Sequence, residues 1–275
     1  MRIYSDVQQV WFGNFFRSIA ISNAICPGFL ANKPTQKEID ILRKMGWSIN
    51  LKIIAYLKNN FNATIIYNEI DKIYFKANKI LSSYDFNHSV SSDIIINIGD
   101  RIKTICLMNL KQYFYRTYDD KIIYRGTVMN RKDSCIFLKS FFETLSKYLL
   151  YNPSVFKDDF IHFCLEQHSL FLSSPINISD FVITSTIPGR LRLNNKFVLC
   201  GNPPTDKYHK LFNKPVDLSK NSVSYVYTHA TNFKLHYEDV IDSSQIDIGK
   251  YSNKMKQLIS HLSELFSPPF VCPVN

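Results

Sequence analysis

Two carboxylates, two positions apart, are the residues of this sequence best suited to chemistry. Glu69 and Asp71 stand in a short polar break between two apolar runs, residues 63–67 and 72–76. Side chains two residues apart project to the same side of an extended chain, so this pair could hold a divalent metal ion. Such ions neutralise the negative charge that develops during phosphoryl transfer. An ordinary hairpin tip with two solvated acids explains the same pattern, and both interpretations stay open at this point.

The spacing of apolar residues predicts the elements that would position these acids. The pattern over residues 63–75 predicts a β-hairpin with Glu69 and Asp71 at its tip. Before it, apolar residues at helical spacing predict a helix over residues 4–25, and a second helix over residues 36–60.

The later part of the chain changes from strands to helices. Residues 110–118 and 121–124 predict a second hairpin. Helical periodicity follows over residues 134–151, 157–171 and 250–266, with a strand between them at residues 223–229. This order favours an α+β protein with two domains, which we expect to divide between residues 120 and 121.

The charge and the cysteines narrow the class of protein. The 275 residues carry a net charge of +10, a balance typical of proteins that meet phosphates, although lysine-rich coding by an AT-rich genome gives the same excess. None of the six cysteines is paired at the C-x-x-C spacing of zinc sites. Reduced thiols favour an intracellular setting: the nucleus, the cytoplasm or a site of viral replication. No run of 18 uncharged apolar residues occurs, so we expect no membrane partner.

The hairpin segment resembles the third palm motif of family B DNA polymerases, Tyr-Gly-Asp-Thr-Asp-Ser between two strands. Tyr67 and Asp71 match the tyrosine and the second aspartate, and Glu69 replaces the first aspartate. Lys72 departs from the pattern, and its positive charge would compete with a metal ion for the acids.

Other segments resemble motifs of the same family, in the same order along the chain. Gln8-Gln9-Val10-Trp11-Phe12-Gly13 is similar to the end of the finger-helix motif, with Ser5 at the position of a phosphate-binding lysine. Lys111 and Tyr113 match the Lys-Lys-Arg-Tyr element between palm and thumb. Three further segments resemble thumb elements: residues 124–135, which contain Arg125, Arg131 and Lys132, residues 178–184 and residues 223–227.

The resemblance implies a fold and a set of site residues. The expected fold is a partial palm, made of a finger helix plus a β-hairpin sheet, over residues 1–120, followed by a mostly helical thumb over residues 121–275. Glu69 and Asp71 would be the catalytic residues and would bind Mg²⁺ if the protein is active. The DNA backbone would be held by Lys111, Tyr113, Arg125, Arg131 and Lys132.

The resemblance is incomplete at the site of chemistry. The family's earlier palm motif, Asp-x-x-Ser-Leu-Tyr-Pro-Ser, does not occur in this sequence. We therefore expect a palm and thumb portion that binds primer–template DNA in replication and is not catalytic alone. The alternative is an active polymerase fragment, completed by an upstream segment or a partner chain that carries the missing aspartate. Expected partners are primer–template DNA, and either other replication proteins or that missing segment.

Overall fold

The chain mixes helices with antiparallel sheet, so the expected α+β class is confirmed. The computed structural model describes residues 1–12, 36–69, 71–82, 85–86, 96–186, 190–193, 196–199, 222–229, 234–236, 240 and 242–267. Its helices are α1 (Gln36–Phe61), α2 (Ile136–Tyr151), α3 (Lys157–Ser173) and α4 (Ile248–Ser263). No helix within these ranges combines the length and the apolar character needed to cross a membrane.

The strands form three sheets. They are β1 (Ile3–Phe12), β2 (Thr64–Asn68), β3 (Lys72–Lys76), β4 (Ile96–Asn109), β5 (Gln112–Thr117), β6 (Ile122–Arg125), β7 (Ile183–Thr186), β8 (Arg190–Leu193), β9 (Lys196–Leu199), β10 (Ser222–Tyr227) and β11 (Lys234–His236). The largest sheet has the order β2-β3-β1-β4-β5-β6, and the two smaller sheets have the orders β11-β10-β7 and β8-β9.

The chain divides into two compact units. Among the described residues, the sheet unit is drawn from Ile3–Cys106 and Tyr115–Ile123. The helical unit comprises Met1–Arg2, Leu107–Phe114 and Tyr124–Pro268.

The prediction of a helix over residues 4–25 is wrong for its described part, because Ile3–Phe12 is a strand. β1 lies between β3 and β4 and pairs antiparallel with both. A register shift between Gln8 and Val10 interrupts the alternation of faces, and Val7, Gln8, Gln9 and Val10 are consecutively buried. A short buried run of this kind is compatible with helical spacing as well as with a strand. Here the segment is a strand because it hydrogen-bonds to β3 along one edge and to β4 along the other. The finger-helix motif and Ser5 thus lie on a strand, while residues 13–25 lie outside the described residues.

The sheet unit has its core between α1 and the sheet. Ile53 and Leu57 from α1 are fully buried, and they cluster with Val10 from β1 and with Ile73 and Phe75 from β3. The two α1 side chains are one turn apart and so lie on one side of the helix. That side packs against the face of the sheet that includes β1 and β3.

The helical unit has an aromatic core around α2. Phe137, Phe141 and Phe142 are buried, and Phe137 stacks on Phe181 with a centroid distance of 4.4 Å. Asp247 caps the start of helix α4, and its carboxylate accepts a hydrogen bond from the amide of Lys250 at 3.2 Å. This cap satisfies one of the amides that every helix leaves open at its start.

We predict that His168 makes the stability of the helical unit depend on pH. Its Nε2 lies 2.9 Å from Ser252 Oγ on α4, and burial, together with the charge of Lys256, lowers the pKa of the imidazole. Below about pH 6.5 the unfolded chain takes up the proton first, so stability present above that pH is lost as the pH falls.

Thermal unfolding of the wild type and of His168→Gln at about pH 8 and about pH 5.5 tests this. The acid-induced fall in melting temperature should be smaller in the variant. An equal fall in both proteins would show that His168 is not the group responsible.

Candidate active-site hairpin and nucleic-acid interface

The predicted hairpin that carries Glu69 and Asp71 is confirmed. β2 and β3 pair antiparallel, with Asn68 opposite Ile73, and the amide of Glu69 donates a hydrogen bond to the carbonyl of Lys72 at 2.7 Å. Ile70, between the two acids, lies outside the described residues. Both carboxylates are half-buried at the end of the hairpin. Their common orientation stays a prediction.

Helix α1 anchors this hairpin through a buried amide. Asn50 has no exposed surface, and its Nδ2 donates to the carbonyl of Glu69 at 2.6 Å. Its Oδ1 accepts from Asn68 Nδ2 at 3.4 Å. A buried polar group needs such hydrogen-bond partners. Asn50 therefore holds the acidic end of the hairpin at a fixed position relative to α1. The sequence signal for this role is an asparagine in the buried row that also contains Ile53 and Leu57.

A tyrosine within the hairpin forms a hydrogen bond to one of the two acids. The hydroxyl of Tyr67 donates to Glu69 Oε1 at 3.2 Å. Beneath it, Gln9 Nε2 donates to the hydroxyl of Tyr74 at 2.9 Å, and both residues are buried. Gln9, expected on a finger helix, instead belongs to the polar and aromatic layer under the hairpin.

Strand β1 pairs with the hairpin close to the acids. In the register of β1 against β3, Trp11 lies opposite Lys72, which adjoins Asp71. Trp11 and Lys72 thus occupy paired positions next to the end of the hairpin. Within the described ranges, no three histidine, cysteine or acidic side chains gather in a way that could hold a metal ion.

The basic residues of the expected DNA-binding set lie on turns and strand ends of the helical unit. Lys111 and Arg125 are exposed, as are Arg131 and Lys132. Gly126 has φ of 63°, and a Cβ at this position would collide with the carbonyl oxygen of Lys111. This close approach requires glycine, and it places the turn of Lys111 beside the end of the strand that carries Arg125.

Tyr113 differs from the other members of that set because it is buried. It lies in β5 with only 2% of its surface exposed. In this position it supports the strand that follows the Lys111 turn.

A cleft of about 430 Å³ adjoins these basic residues in the helical unit. Gly126 and Arg131 are among the residues that line it. Lys254, Gln257 and His261 line it too, from positions that share one face of α4. The sequence motifs did not predict this cleft, because it depends on how α4 packs within the unit.

No protein-family model matches the sequence, and no curated protein matches it. The structure is similar to that of the family B DNA polymerase from the hyperthermophilic archaeon Pyrobaculum calidifontis, with a TM-score of 0.57 and 13% sequence identity. The similarity covers 98% of this chain and 46% of that polymerase, so the chain spans less than half of its length. At this identity the likeness shows the fold, and it agrees with the family resemblance of the sequence motifs.

Proposed function

We propose that this chain is a DNA-binding portion of a family B polymerase fold that acts in replication without adding nucleotides on its own. The observation that carries the proposal is the fold likeness to a family B polymerase over 98% of the chain. In this proposal residues 1–120 correspond to part of the palm and residues 121–275 to the thumb.

The placement of the basic residues supports DNA binding. Lys111 and Arg125 are brought together by the glycine turn, and Arg131 lines the adjoining cleft. Exposed lysine and arginine side chains neutralise phosphates and release the counterions bound to DNA, whatever the base sequence. Primer–template DNA is therefore the partner that suits this surface.

The surroundings of the hairpin tip support the lack of chemistry. Glu69 accepts a hydrogen bond from Tyr67, and Lys72 directly follows Asp71 in the sequence. A cation beside two acids weakens their attraction for Mg²⁺ by direct repulsion.

The alternative is an active polymerase fragment completed by another segment or chain. Glu69 and Asp71 favour it, because both acids are kept at the end of the hairpin. In that case the added chain must supply the missing aspartate together with the surface that binds the incoming nucleotide.

We predict binding to primer–template DNA that depends steeply on salt. Four phosphate contacts, from Lys111, Arg125, Arg131 and Lys132, give a log–log slope of about −3 to −4, so affinity falls roughly a hundredfold between about 50 and 200 mM salt. Lys111→Gln and Arg131→Gln should each flatten the slope by about one unit. Fluorescence anisotropy with a labelled primer–template measures this slope.

The matched control is Lys147→Gln, which removes an exposed charge of the same unit that is already paired with Glu143 at 2.7 Å. Its slope should equal that of the wild type. An affinity that does not change with salt, or equal slopes in all variants, would rule out this DNA-binding surface.

A further inference from the structure

The cleft in the helical unit has the size and form of a small-molecule site. Its volume of about 430 Å³ lies within the range of roughly 300–1,000 Å³ that is common for ligand pockets. Its walls come from α4, from α2 and the loop that precedes it, and from the adjoining ends of β4 and β5. The chemistry of these walls identifies a class of ligand.

A buried hydroxyl in the wall lacks a partner. Ser134 lines the cleft, and its Oγ is buried with no hydrogen-bond partner within the protein. A polar atom left in this state is unfavourable, and a ligand that hydrogen-bonds to it removes that penalty.

Cationic side chains provide a place for one phosphate group. Arg131 and Lys254 both line the cleft. The ammonium group of Lys254 lies 5.4 Å from the centre of the Tyr227 ring, a cation–π contact that restrains it at the wall. A guanidinium and a restrained ammonium group together favour a phosphate over a neutral ligand.

The acids and amides of the cleft suit a nucleobase better than a polyanion. Asp133 and Glu264 line it too, and carboxylates accept hydrogen bonds from the exocyclic amino groups of bases. The amides of Gln112 and Gln257 can donate and accept at a base edge. Leu258 from α4, which is partly exposed, adds an apolar surface for a planar ring.

We propose that this cleft binds a nucleoside monophosphate, either as a free nucleotide or as the unpaired terminal nucleotide of a DNA strand. The phosphate pairs with Arg131 and Lys254, the hydroxyl of Ser134 is satisfied by the ligand, and the base meets the amides and acids. The site shares Arg131 with the proposed surface for the DNA backbone, whereas Lys254 and Ser134 belong to the cleft alone.

Calorimetric titration of the full chain with each of the four deoxynucleoside monophosphates, and with inorganic phosphate, tests the proposal. At least one nucleotide should bind saturably below about 1 mM, and at least about tenfold more tightly than phosphate. Lys254→Gln should weaken that nucleotide about tenfold. Ser134→Ala should weaken it several-fold and leave the melting temperature without nucleotide unchanged or higher, because the unpaired hydroxyl is removed.

Two matched controls separate a local effect from a general one. Lys256→Gln removes a charge from α4, and Ser140→Ala removes a hydroxyl from α2, at exposed positions outside the cleft. Neither should change nucleotide affinity. Absence of saturable binding, phosphate binding as tight as nucleotide binding, or unchanged affinity in both Lys254→Gln and Ser134→Ala would each overturn the proposal.

Duplexes with and without a single-nucleotide overhang distinguish the two sources of the ligand. Tighter binding of the overhang, lost in Ser134→Ala, assigns the cleft to a strand end, whereas equal binding with retained affinity for the free nucleotide assigns it to the small molecule. The preference for an overhang is measured at one salt concentration. It can therefore be absent even when the salt dependence of DNA-backbone binding is observed.

Discussion

A labelled primer annealed to its template is expected to remain unextended when the purified protein is incubated with all four deoxynucleoside triphosphates and Mg²⁺ or Mn²⁺. Phosphoryl transfer at a two-metal site needs carboxylates that bridge and orient both ions. The hairpin provides Glu69 and Asp71, and the neighbouring strand places Trp11 opposite Lys72 at the same end. The family's earlier aspartate motif does not occur in this sequence, so metal ions here would lack a ligand, and Lys72 adds a positive charge next to Asp71 in the sequence.

The expected loss is large because the metal ions contribute most of the charge stabilisation in this chemistry. Each of them provides several kcal/mol in the transition state, and every 1.36 kcal/mol corresponds to about a tenfold change in rate. Loss of one ion alone therefore lowers the rate by a factor on the order of 10²–10³ or more. If both metal ions are lost, the rate of primer extension should fall below the detection limit.

The informative comparison uses Asp71→Ala in parallel with the wild type and with an intact family B polymerase. Extension by the wild type that disappears in Asp71→Ala would refute the non-catalytic proposal. Extension that starts only when a second chain with the missing aspartate motif is added would establish the alternative of a polymerase fragment completed in trans.

The elements with local signals could be predicted from the sequence. The β2–β3 hairpin follows from a polar break between two apolar runs, and the β5–β6 hairpin from the same pattern around Asp119 and Asp120. Helices α2, α3 and α4 lie within about two residues of their predicted starts, because their apolar residues keep one face over four or more turns.

Strand β1 shows where local patterns are insufficient. Its residues Val7–Val10 are consecutively buried, so side chains on both faces are covered there and the alternation that identifies a strand is lost. The shift at Gln8–Val10 removes what periodicity remained. Gln8 is stabilised only by distant groups, since its Nε2 donates to the carbonyl of Lys79 and its Oε1 accepts from the amide of Leu81. No window of ten residues contains that information.

In the candidate site, too, some residues could be predicted from local motifs and others depend on long-range packing. The acids were identified because their motif is contiguous, whereas Asn50, which anchors the hairpin, is distant in sequence from the acids that it positions. The cleft beside Arg131 gathers residues from five separate segments, and only the packing of α4 brings Lys254 to Ser134. Contiguous motifs thus predict which family a site resembles. The residues that surround the site come from distant parts of the sequence, and only the packed structure shows them.

The packing beneath that cleft depends on three aromatic rings. Phe142 is fully buried in α2, with its ring centroid 5.7 Å from that of Phe114 in an edge-on arrangement and 6.1 Å from that of Tyr124. The hydroxyl of Tyr124 lies 3.0 Å from Ser146 Oγ, so its ring cannot shift freely toward a space left by Phe142. A truncated side chain would therefore leave a cavity.

We predict that Phe142→Ala lowers the free energy of unfolding by about 3–5 kcal/mol, the range for truncating a buried phenylalanine whose surroundings relax little. Since a domain has only about 5–15 kcal/mol in total, the variant should be marginally folded at physiological temperature. Urea unfolding measures the loss as a lower midpoint with an unchanged slope. Tyr151→Ala, on the same helix but 52% exposed, should stay within about 0.5 kcal/mol of the wild type. A loss below about 1 kcal/mol for Phe142→Ala would mean that the three rings do not pack as a rigid cluster, and that the cleft has no fixed floor.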